Sequence, residues 1–147
     1  MHRCPVEAIL KDIHRRGPVT TSRGRFIVLS LPHAPQHYVQ CIFIERDTAM
    51  GCEASSGAYG PKKGETDHFA PSQETRAALE RLGYSLDDPA ENYTRTVALG
   101  DPPEVGRVAT LMLQTLFDAY GARPGSAVDV NAPPGEGAVS ECGAPVS

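Results

Sequence analysis

Five histidines (His2, His14, His33, His37, His68) and four cysteines (Cys4, Cys41, Cys52, Cys142) are the side chains with the most chemistry open to them. A zinc site needs such donors at short internal spacings, and a catalytic zinc helix carries two histidines one turn apart with a glutamate between. Neither pattern occurs. His33 and His37 lie either side of Pro35 and read as solvent-exposed turn histidines. There is no C-x-x-C pair, and Cys41 and Cys52 fall inside β-prone runs, where a free cysteine behaves as a small buried hydrophobe. The stretch Gly51-Cys52-Glu53-Ala54-Ser55-Ser56-Gly57 lacks a G-x-S-x-G elbow, and a mid-strand Cys52 is expected to be inert. Gly60-Pro61-Lys62-Lys63-Gly64-Glu65-Thr66 misses the phosphate-loop pattern, and Pro61 removes an N–H that such a loop would use. Asp87-Asp88 sits in a turn without a partner for acid–base work. No cofactor or metal is implied, and the chain reads as a non-enzyme. An enzyme working through Cys52 or His68 would need a site that the sequence does not advertise.

Charge narrows the partners. The 147 residues carry a net charge of −4, which argues against nucleic-acid binding, since that requires a dense cationic surface to displace counterions. A local basic run, from Lys11 through His14, Arg15 and Arg16 to Arg23 and Arg25, reads as a helix end complementing its own dipole plus two loop arginines. No apolar run approaches the ~20 residues that span a bilayer, so no membrane partner is expected. Met1-His2-Arg3-Cys4-Pro5 leads into an amphipathic helix and not into an apolar signal segment. The expectation is therefore a cytoplasmic protein with reduced thiols.

The elements follow from periodicity. Val6, Ile9, Leu10 and Ile13 share one face of a helix over residues 5–16, closed by Gly17-Pro18. Arg25–Leu31 reads as a strand, Pro32–Gln36 as a turn, and Tyr38–Glu45 as a second strand. Arg46-Asp47-Thr48 turns into a third strand, Ala49–Ser55, completing an antiparallel meander. After an irregular stretch, Ser72 caps a helix over Gln73–Leu82 that Gly83 closes. A fourth strand spans Asn92–Leu99. Asp101-Pro102-Pro103-Glu104 looks like the capped start of a long final helix, whose apolar stripe runs from Val105 to Phe117 and which Gly121 ends. Ala127–Val130 is a short extended piece. Residues 131–147 are rich in Pro, Gly, Ala and Ser and cannot bury enough apolar area to offset their ordering entropy. The organisation expected is one α+β domain over residues 1–130 and a disordered tail over 131–147.

The first two strands are apolar on both faces. Alternation sets Ile27, Leu29, Tyr38, Ile42 and Ile44 against Phe26, Val28, Val39, Cys41 and Phe43. Three helices cover one face of a four-stranded sheet. The second face is either covered by a helix or forms a surface that meets a partner.

Several phrases also resemble a known family. Tyr38-Val39-Gln40 opens one strand and Gly51-Cys52-Glu53-Ala54-Ser55-Ser56 fills the next. They are followed by Leu79-Glu80-Arg81-Leu82-Gly83-Tyr84, the Pro89–Tyr93 turn, and Phe117-Asp118-Ala119-Tyr120-Gly121. In this order the chain, over about Arg25–Val130, resembles bacterial TY-Chap domains and the fold shared by type III secretion chaperones and the YbjN family. The resemblance implies a non-catalytic, chaperone-like protein that holds an extended client or assembly subunit on apolar patches, and it admits a homodimer. By this analogy Phe26, Val28, Tyr38, Ile42 and Ile44 are the partner-binding candidates. A competing reading is a toxin-neutralising or regulatory inhibitor that docks through the acidic loop at Asp87, Asp88 and Glu91; salt weakens such a charged contact more than an apolar one.

Overall fold

The structure is a computed structural model and describes residues 6–15, 26–44, 48–57, 70–87, 91–123, 126–131 and 138–142. Its elements are α1 (Val6–Arg15), β1 (Phe26–Leu31), β2 (Ala34–Ile44), β3 (Ala49–Ala54), α2 (Gln73–Arg81), β4 (Tyr93–Ala98), α3 (Gly106–Gln114), β5 (Ser126–Asn131) and β6 (Ala138–Cys142). A π-helical turn, Thr115–Ala119, continues α3. The six strands form one sheet in the order β4-β3-β2-β1-β5-β6, with every neighbouring pair antiparallel. The α+β class and the helix–meander–helix–strand–helix order are as expected from the sequence.

Local chemistry explains most boundaries. On α1, Val6 and Leu10 are buried, while Glu7 and Lys11 pair at 3.5 Å on the exposed side. Ser72 Oγ accepts from the Thr75 N–H at the start of α2 (3.1 Å), satisfying one of the donors a helix N-terminus leaves open. At the other end Gly83 adopts φ +90°, a left-handed conformation that glycine reaches without steric cost. The Arg95 guanidinium donates to the Leu82 carbonyl, adding a cation at the negative end of the helix.

The last helix departs from expectation at its start. It begins at Gly106, and Val105 at the N-cap makes no side-chain capping bond. The Glu104 N–H is already spent on the Leu99 carbonyl (3.0 Å), which folds the Asp101–Glu104 stretch into a turn. The Glu104 carboxylate reaches forward to Arg107 Nε at 3.0 Å instead of back to complete a capping box. The end is as expected: Tyr120 closes the π-helical turn and Gly121 follows with φ +78°.

A second departure concerns the strand faces. Ile27 pairs with Cys41 and Leu29 with Val39. Ile27 and Leu29 therefore point the same way as Val39, Cys41 and Phe43, and not with Tyr38, Ile42 and Ile44. One residue of register exchanges every side chain between faces, and the turn residues alone did not settle the register between β1 and β2. The layer on that inner face is the core. Ile27, Leu29, Val39, Met50, Leu79, Val108, Met112 and Leu116 are fully buried there against α1, α2 and α3.

The third departure is covalent. Cys41 and Cys52 face one another across β2 and β3 and form a disulfide with Cα atoms 4.1 Å apart. They are bonded, not the inert thiols expected, and the reducing compartment that free thiols implied no longer follows. The short Cα separation fits a pair that exchanges no ladder hydrogen bonds, where opposed side chains come closest.

The fourth lies at the C-terminal end. β5 is longer than the piece expected, and β6 pairs with it along Val130–Ala138 to Ser126–Cys142, inside the stretch read as a disordered tail. An edge strand can be held by its backbone ladder, so its sparse apolar content did not reveal it. Residues 132–137 and 143–147 lie outside the described residues. At the opposite edge, Ser85 and Thr94 exchange two backbone hydrogen bonds (2.9 and 2.8 Å) on the outer side of β4.

Buried hydroxyls tie the helices to the sheet. Thr115 Oγ1 donates to the Leu111 carbonyl (2.7 Å), so in the 2.8 Å contact with Tyr84 the phenol is the donor. The Tyr120 hydroxyl donates to the Ser55 carbonyl (2.7 Å). Burial pushes the Tyr84 phenol up to about 12, opposed in part by Thr115 and Arg95; burial, and then the neighbouring Tyr84, raise Tyr120 as well. A raised acid pKa means that the fold binds the proton more tightly than the unfolded chain does. This stability is fully present below the ordinary tyrosine value near 10 and is lost as pH rises from there through about 12. These two phenols are expected to add no pH dependence to the urea unfolding free energy below about pH 9. Above about pH 10 it should fall by roughly 1 kcal/mol per pH unit for each such phenol. Tyr84→Phe should flatten that fall; an unchanged slope would contradict this assignment.

Candidate functional site: the outer face of the sheet

The outer face of the sheet carries Phe26 and Val28 from β1, Tyr38, Gln40, Ile42 and Ile44 from β2, and Gly51 and Glu53 from β3. The register aligns them in rows: Phe26, Ile42 and Gly51 in one, Val28, Gln40 and Glu53 in the next. All five partner-binding candidates, Phe26, Val28, Tyr38, Ile42 and Ile44, are thus on one face, and each is half-buried. None belongs to the core cluster on the inner face. A groove of about 370 Å³ opens on this face, lined by Phe26, Val28, Gln40, Ile42, Gly51 and Glu53, with Cys41 contributing at its floor; Tyr38 and Ile44 flank this lining along β2. Gly51, opposite Ile42, leaves that floor low; a Cβ there would stand 3.8 Å from Ile44 Cδ1.

Two polar features frame the groove. Gln40 Nε2 donates to Glu53 Oε2 at 2.9 Å. Tyr38 is fixed at one end, where its hydroxyl accepts from Asn92 Nδ2 (2.7 Å); burial raises its pKa, with the Asn92 contact opposing. Asn92 is itself buried and accepts from the Ser56 N–H at 3.1 Å. The Tyr38 ring is therefore held in place by three elements, β2, the end of β3 and the start of β4. The disulfide lies directly beneath, joining the two strands whose outer residues make most of the groove.

The remaining sequence candidates are scattered. His33 is exposed in the β1–β2 turn, but His37 is half-buried in β2, stacked on Tyr120 with ring centroids 5.4 Å apart. Burial, and then the nearby His33, lower its pKa. His37 also borders a cavity of about 490 Å³ with Ser72, Glu74, Thr75, Asp118 and Tyr120. No cluster of three or more metal-ligating side chains occurs among the described residues. Cys52, buried and disulfide-bonded, offers no thiolate. Asp87 and Glu91 are exposed. Asp88, His68, Lys62, Lys63 and the basic segment 16–25 lie outside the described residues. No helix among the described residues is long and apolar enough to cross a membrane.

Sequence reasoning missed Glu53 and Gln40 as site residues, although strict alternation from Ile42 and Gly51 places both on the same face. Residues 16–133 match the family described as T3SS (YopN, CesT) and YbjN peptide-binding chaperone 3, TY-Chap3. No curated protein and no solved structure matches the chain. The matched segment runs through β1 to β5 and through α2 and α3, and the chain belongs to the TY-Chap3 family of peptide-binding chaperones.

Proposed function

We propose that this protein holds an extended segment of another protein, a client or an assembly subunit, against the outer face of its sheet. The contact runs through Phe26, Val28, Tyr38, Ile42 and Ile44. The observation that carries the reading is the apolar groove over β1–β3, on a face that contributes nothing to the core. Apolar side chains entering it gain roughly 25 cal/mol per Å² removed from water, less the cost of ordering the segment. The role asked of the protein is binding, with no catalytic group involved.

A peptide array of extended sequences with alternating apolar residues tests this. Ile42→Asp sets a charge in the middle of the groove on a partly exposed position, so the fold should survive, as read by circular dichroism and thermal unfolding. Binding to the array should fall at least tenfold, while Leu86→Asp, at an exposed apolar residue outside the groove, should leave it unchanged. Equal binding by folded Ile42→Asp would sink the proposal. A dimer in sedimentation that Ile42→Asp converts to monomer would assign the face to a second copy of the chain instead.

A further inference from the structure

We infer that the segment held on this face carries a lysine or arginine that pairs with Glu53, spaced one residue from an apolar side chain that enters the groove beside Ile42. This rests on the reading of the face as a peptide site and specifies its occupant. Among the described residues that line the groove, Glu53 is the only charged one. It is half-buried and held by one oxygen, Oε2, to Gln40, which fixes the carboxylate in the row beside the apolar one. Its register partners on either side, Gln40 and Thr94, are neutral. Across the sheet, Asp129 of β5 pairs with Ser30 and faces the same way. Among the described residues, this face therefore carries carboxylates and no cation.

A carboxylate in a groove imposes selection once the groove is filled. A segment laid over Glu53 strips water from it, and the loss is offset only where the segment brings a cation or a strong hydrogen-bond donor. A charge-assisted bond to an ammonium or guanidinium does this; an acidic or purely apolar residue at the same point does not. Spacing sets the position. Gln40 and Ile42 are two residues apart on β2, about 7 Å, and an extended chain running along the strand presents side chains to one face at that interval. The pattern accepted is an apolar and a basic residue separated by any one residue, in the order that the segment's direction along β2 sets.

The test is fluorescence anisotropy with a set of labelled nonapeptides, identical except that the two positions two residues before and two residues after a central isoleucine are both Lys, Arg, Gln or Glu. The wild-type protein should bind the Lys and Arg peptides at least tenfold more tightly than the Glu peptide, and raising the salt should narrow the difference. Glu53→Gln should abolish the preference while keeping affinity for the Gln peptide, and Glu53→Lys should invert it. Wild-type protein that binds all four peptides equally, or a Glu53→Lys variant with an unaltered order, overturns the inference and leaves the peptide site standing. Ile42→Asp that binds as well as wild type overturns the site itself, and failure of every probe to bind overturns both.

Discussion

Replacing Cys41 and Cys52 together with alanine is expected to lower the unfolding free energy by about 3 kcal/mol. The bond closes a loop between residues separated by 11 positions, and in the chain-entropy account a crosslink of this span removes that much conformational freedom from the unfolded state. The native contacts change little, because each sulfur is a small apolar filler in the core cluster. Urea unfolding with and without a dithiol reductant reads the effect in the wild-type chain, and the double variant should match the reduced protein and ignore the reductant. Both cysteines are about 1% exposed. A reductant should therefore act on the protein under unfolding conditions and leave the folded protein oxidised. A double variant as stable as the oxidised wild type would remove the disulfide from the account of stability.

Leu116→Ala is expected to cost about 2–5 kcal/mol. Leu116 is fully buried and sits in the π-helical turn between the core and α2. The neighbouring backbone is fastened: Ala119 accepts from Thr75 Oγ1 at 2.9 Å, and Ala122 N donates to the Leu116 carbonyl itself at 2.9 Å. A wall held at these points cannot collapse into the space left by the missing side chain, so the lost packing adds to the lost transfer energy. The variant should fold at low temperature, unfold at a lower urea midpoint, and keep its peptide preference, because Leu116 packs in the core on the inner side of the sheet while the groove opens on the outer face. A loss below 1 kcal/mol would show that the turn repacks.

Much of the fold could be read where one residue settles a local question. Ser72 before an apolar stripe marked the start of α2, and Gly83 and Gly121 marked two helix ends because the backbone there turns left-handed. The reading failed where two local signals compete or where pairing decides. Asp101-Pro102-Pro103-Glu104 has the composition of a helix start, yet the Glu104 N–H is claimed by Leu99 and its carboxylate by Arg107. The Cys41–Cys52 bond follows from the β2–β3 register. Once Ile44 stands opposite Ala49, three steps back along β2 and three forward along β3 bring the two cysteines together, whereas their spacing in the sequence matches no motif. The five apolar candidates came from resemblance, and alternation along β2 groups three of them. The link to Phe26 and Val28 needed the β1–β2 pairing, in which the register shifts between Ser30 and Leu31.

The short bridge between Ser85 and Thr94 bears on how this protein avoids its own kind. An outermost strand with a free row of N–H and C=O groups invites a second sheet to join it edge to edge, the route to fibres and insoluble assemblies. Here the pair of bonds at Thr94 closes the start of the β4 margin. Past that bridge the β4 strand runs only from Arg95 to Ala98, shorter than the five or six residues of an ordinary strand. A second sheet that approached β4 would thus find the start of its margin already paired and only a short row left to template addition.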